Sequence, residues 1–98
     1  MARLKFEIHP EAALELGRSY EYYASRSLIA ADAFLDEIDA AFEGIAENPS
    51  LWPQYLKQYR RRVLTRFPFS VVYRVVDDGL EVVGIVHDKK RPGYWESR

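Results

Sequence analysis

The sequence has no cysteine, one methionine, five glycines, five prolines and no long apolar run. Without cysteine the chain has no disulfide scaffold, thiol nucleophile or zinc–thiolate site, and it suits a reducing, cytoplasmic setting. Its uncharged runs fall far short of the roughly 20 residues a membrane helix needs, so no membrane partner is expected. The opening MARLKFEIHP lacks the apolar stretch of a signal peptide, and none is expected. Two histidines far apart, His9 and His87, with no cysteine beside them make a poor transition-metal set. Neither metal nor cofactor is expected. Glycine-rich phosphate loops and Ser/His/Asp sets are absent too.

What is present fits one domain over residues 1–98: 48% hydrophobic and 14% aromatic residues, enough for a single core. The formal charge of −1 hides a division. Residues 1–50 carry four basic against ten acidic side chains, or −6; residues 51–98 carry ten against five, or +5. Such asymmetry points to a two-faced molecule that meets an acidic or polyanionic partner on one side.

Residues 3–8 (RLKFEI) alternate, with Leu4, Phe6 and Ile8 opposite Arg3, Lys5 and Glu7, and predict a half-buried strand. Pro10 suits a first helical position, Glu11 and Glu15 suit the positive end of a helix dipole, and helical spacing runs through Ala13, Leu16, Tyr20, Tyr23 and Ala24. The helix-entry position gives His9 its role. Ser27 is a ready N-cap for a second helix, whose stripe is Ala31, Phe34, Leu35, Ile38, Ala41, Phe42 and Ile45; Asn48-Pro49 ends it. Its carboxylates read as a solvated face. Tyr20, Tyr22 and Tyr23 read as helix packing, with Tyr22 outermost. After a loop over 49–58 the period returns to two, predicting strands over 60–66, 69–76 and 80–87. Phe67-Pro68 marks a break and Asp78-Gly79 a two-residue hairpin turn. The remainder, 88–98, reads as a polar tail. The order β-α-α-β-β-β predicts an α+β fold, with a helical hairpin on one face of a largely antiparallel sheet.

Strand parity then assigns faces. Phe69, Val71, Tyr73 and Val75 are expected toward the helices, as are Leu80, Val82, Gly84 and Val86. In 60–66, burying Arg61, Val63 and Thr65 leaves Arg60, Arg62, Leu64 and Arg66 outside; the opposite register buries three arginines. Arg60, Arg62, Arg66, Arg74 and His87 are thereby expected to converge on the uncovered face, with Lys89, Lys90 and Arg91 following. A patch of that kind suits phosphate or an acidic protein.

Four segments, HPEAALELGRSYEYYASRS, FLDEI…AFEGIAENPSLWP, RRRVLTRFPFSVVYRV and VVGIVHDKKRPGYW, in that order and spacing, make the chain resemble the RelE/ParE superfamily of plasmid-stabilisation toxins from type II toxin–antitoxin systems. The resemblance spans nearly the whole chain. It implies a growth-inhibiting toxin neutralised by a cognate antitoxin. Members related to RelE cleave ribosome-bound mRNA without a metal; members related to ParE inhibit DNA gyrase.

RNA scission of that kind needs a base, an acid and fixed positive charge at the phosphate. Histidine is the side chain whose ordinary pKa lies nearest neutrality, which makes His87 the acid–base candidate. Arg62 and Arg66 are candidates for charge stabilisation and Tyr94 for the same catalytic group; Arg60, Arg74, Lys89, Lys90, Arg91 and Trp95 are candidates for nucleic-acid or partner contact. Tyr94 and Trp95 also read as an aromatic pair pinning the tail. The pI near 6.1 and the lack of an acid–base partner for His87 lean toward a ParE-like or undetermined target. The alternative is a non-catalytic or degenerate toxin that only binds its antitoxin.

Overall fold

Pro10 opens α1 (Pro10–Ala24) in a computed structural model that describes residues 5–98, and His9 caps it by accepting the Glu11 amide on Nδ1 at 3.1 Å. Ser27 caps α2 (Leu28–Glu47) by accepting the Ala30 amide at 3.2 Å. Both helix starts lie where the sequence put them. Four strands follow the same order: β1 (Lys5–Ile8) before the helices, then β2 (Tyr59–Val63), β3 (Phe69–Val76) and β4 (Gly79–His87). Arg3 and Leu4 of the expected first strand lie outside the described residues. The sheet runs β1-β4-β3-β2; β1 is parallel to β4 and the other pairs are antiparallel.

The helical hairpin covers one sheet face. Phe34, Ile38, Ala41 and Ile45 from α2 meet Phe69, Val71, Tyr73, Leu80, Val82 and Ile85 from the sheet. In α1 the fully buried residue is Ala12, whereas Ala13 is exposed. Tyr23 packs its ring against Phe34, Phe67 and Phe69, while Tyr22 lies outside with the Arg26 guanidinium over it.

The other face is not open, contrary to expectation. A short 3-10 turn (Tyr94–Ser97) folds the tail back, and Trp95, fully buried, joins Tyr59, Val72, Val83 and Val86 in a second core. Four apolar groups on that face needed a cover, and the tail supplies one. Lys57 and Glu96 pair at 2.6 Å at its rim.

Two details of the ladder correct the expected faces. Val72 pairs with Gly84 but Tyr73 with Val82, so Val83 is an extra residue in β4. A bulge of this kind inverts the alternation beyond it. Ile85 and His87 thereby turn to the helix face, and Val86 turns away. The hairpin turn is also one residue earlier than expected: Val76 pairs with Gly79, leaving Asp77 and Asp78 as the turn, with Asp77 at φ 45°. Gly79 serves another purpose. A Cβ there would stand 2.6 Å from the Lys5 carbonyl oxygen, so only glycine lets β1 approach.

Candidate functional site

Edge strand β2 adopts the register that the burial argument rejected. Arg60 and Arg62 pair with Tyr73 and Val71 and so share the helix side; Leu64 beyond them is buried, while Val63 and Thr65 are exposed. Being at an edge resolves the cost. The Arg60 guanidinium donates to the Ser50 and Trp52 carbonyls at 3.3 and 2.6 Å, and that of Arg62 donates to the Ala40 carbonyl at 3.2 Å while stacking on Trp52. Arginine stems pack and their heads find backbone acceptors, so no charge is stranded. Arg61, on the opposite side, stacks on Tyr55.

The expected convergence of Arg60, Arg62, Arg66, Arg74 and His87 therefore does not occur. Arg74 sits on the tail side of the sheet and pairs with Glu81 at 2.8 Å. Arg66 is exposed in the β2–β3 connection, where its amide, with the Thr65 amide and hydroxyl, donates to Glu37. Glu37 is thus no mere solvated carboxylate. Burial alone would raise its pKa, but these three hydrogen bonds outweigh burial and hold it below the ordinary value. Trp95, buried and edge-on to Tyr59, presents no free ring face for a base.

His87 instead opens on a cleft of about 570 Å³ between α1 and the end of β4. One wall is the α1 face carrying Glu15, Arg18, Ser19 and Tyr22, residues that share a side because they lie three, four and seven positions apart. Phe69, Pro68 and Ile85 make the floor, and His87, Lys90 and Tyr94 the second wall. His87 Nδ1 accepts the Lys89 amide at 3.1 Å, which fixes the ring. Exposed Lys89, Lys90 and Arg91 follow it directly in the chain, so positive charge gathers at this end of the sheet. Of the expected set, His87, Lys90 and Tyr94 are brought together here.

Glu15 is the residue that the sequence pattern passed over. Its carboxylate accepts the Ile85 amide, the Tyr94 hydroxyl and both terminal nitrogens of Arg98. Burial, and donation to Glu15, push the Tyr94 hydroxyl well above the ordinary tyrosine range, so it is a donor and not a base. The spacing of Glu15, Arg18 and Tyr22, three and four positions apart, is the signal that could have placed them on one face. The partners, 70 to 83 residues away, carried no sequence signal. Among the described residues no three His, Asp or Glu side chains are grouped to hold a metal, and no helix is long and apolar enough to cross a membrane.

A family model described as ParE toxin of type II toxin–antitoxin system, parDE, matches residues 6–92. Toxin ParE2 of Mycobacterium tuberculosis is 23% identical over 94 residues, which cover 95% of this chain and 90% of that protein. The solved chromosomal ParDE system from P. aeruginosa gives a TM-score of 0.76 at 19% identity, covering 87% of this chain and 96% of that one. The YoeB–YefM complex from Staphylococcus aureus gives 0.57 at 20%, covering 88% and 98%.

Proposed function

The chain belongs to the ParE toxin family of type II toxin–antitoxin systems, and on that footing we propose that it arrests growth by docking on a protein target, DNA gyrase, and not by cutting mRNA. One observation carries the choice of mechanism: of the imidazole and carboxyl groups lining the His87 cleft, the Glu15 carboxylate has both oxygens engaged, which leaves the His87 imidazole with no carboxyl partner for proton transfer. Scission needs a base and an acid together with a cation at the phosphate. The Glu15 oxygens are taken up by Ile85, Tyr94 and Arg98, and the Tyr94 hydroxyl is committed to Glu15. Arg62 is on the edge strand with β3 between it and His87. A cleft with aromatic walls and basic residues around its mouth suits an acidic protein surface better than in-line chemistry.

The partner that comes with the family is an antitoxin protein, and the setting is the cytoplasm. Purified toxin added to a gyrase supercoiling assay and to a translating extract separates the targets. Loss of supercoiling with intact mRNA is the expected result. Truncated ribosome-bound mRNA, abolished by His87→Ala, with supercoiling unaffected would overturn it. Tight antitoxin binding with neither effect would identify a toxin that has kept only its binding surface.

A further inference from the structure

β1 ends opposite Val82, so farther along β4 the Ile85 amide on that side has no strand to meet. Glu15 takes the strand's place, accepting that amide at 3.1 Å. The same carboxylate accepts Nη1 and Nη2 of Arg98 at 2.8 and 3.1 Å and the Tyr94 hydroxyl at 2.5 Å. Arg98 Nη1 also donates to the carbonyl of Val83, the bulge residue, at 2.9 Å. Both charged side chains are largely withdrawn from water, at 13% and 15% exposure. Desolvation cancels much of what such a pair contributes to stability, and Trp95 already anchors the tail by apolar burial. What the carboxylate adds is direction: it fixes where the tail stands relative to α1.

The tail wall of the cleft includes Lys90 and Tyr94, and the opposite wall, Arg18 and Tyr22, lies on the helical face that bears Glu15. We propose that Glu15 is a positioning residue for target engagement, acting through Tyr94 and Arg98 to set the separation of the two cleft walls. The proposal rests on the reading that this cleft meets the target.

Glu15→Gln keeps the size and one acceptor oxygen but removes the charge; Tyr94→Phe removes one tie and keeps the ring. Each is induced in cells and purified with the antitoxin and alone. Expected for both are a cooperative melt, antitoxin co-purification as in the wild type, and a rise of about tenfold in the dose needed for growth arrest, as for loss of one charge-assisted hydrogen bond. The double variant should be no weaker than Glu15→Gln alone. In an alkaline absorbance titration the Tyr94 hydroxyl should ionise earlier in Glu15→Gln than in the wild type, burial keeping part of its upward shift. If that tyrosine is released while arrest stays at wild-type dose, or if arrest falls only with the folded fraction, Glu15 is structural and the proposal fails. Growth arrest presupposes no target, so wild-type arrest without gyrase inhibition sinks the gyrase assignment and leaves Glu15 to be judged on dose.

Discussion

Phe69 and His87 face each other across the β3–β4 ladder, ring centroids 5.0 Å apart and planes at 83°. The edge-to-face contact exists because the extra residue Val83 turns His87 toward the helices. His87→Phe preserves an aromatic pair and is expected to leave unfolding free energy within about 1 kcal/mol in urea. It removes the imidazole from the cleft. A docking toxin should keep most of its growth arrest in this variant; complete loss, with the fold intact, would favour scission.

Cations of the sheet and of the cleft should behave differently. Arg60→Ala leaves the Ser50 and Trp52 carbonyls without their donor and is expected to cost about 1–2 kcal/mol of stability with little change in arrest per folded molecule. Arg18→Ala with Lys90→Ala should do the reverse. Urea midpoints and the inducer dose for arrest distinguish the two.

Trp95 is a core residue in a segment that reads as a polar tail. Trp95→Ala is expected to cost about 3–5 kcal/mol by stripping the second core from Tyr59, Val72, Val83 and Val86. Thermal unfolding reads this directly. A variant that melts like the wild type would mean that the tail does not seal this face in solution.

Glu37 carries a pH signature. Burial raises its pKa and the hydrogen bonds from Thr65 and Arg66 lower it further than that, giving a net depression. A carboxylate depressed in the folded state contributes stability fully above its unfolded value of 4.5, and loses it as pH falls through the folded value. The stability difference between wild type and Glu37→Gln should therefore be largest near neutrality and shrink as the pH falls below 4.5, measured by urea unfolding at each pH.

Gly79→Ala places a methyl 2.6 Å from the Lys5 carbonyl oxygen. Backbone cannot yield as a side chain does, and a cost of about 1–3 kcal/mol is expected. Amide exchange should speed up first in β1, at the pair with β4.

Much of the fold was written in local pattern. Phe69–Val76 has the bounds that its β-branched run predicts, and Pro10, Ser27 and Asn48 sit at the helix boundaries. The site was less legible, for two physical reasons. Period-two parity assumes an unbroken ladder, and one bulge at Val83 reversed every face beyond it, His87 included. Burial penalties for Arg60 and Arg62 assume no acceptor, yet an edge strand beside loop and helix carbonyls provides several. Long-range ties such as Glu15 to Arg98 leave no periodic trace.

The parallel pairing of β1 with β4 also sets a clock. Lys5 meets Gly79 and Glu15 meets Arg98, contacts spanning most of the chain. Neither can close while the later residue is still inside a ribosome, and loops that long are entropically costly to shut. The nascent polypeptide thus has no assembled cleft until those later residues have left the ribosome. A binding partner already at hand therefore meets, during that interval, a chain whose cleft is unfinished.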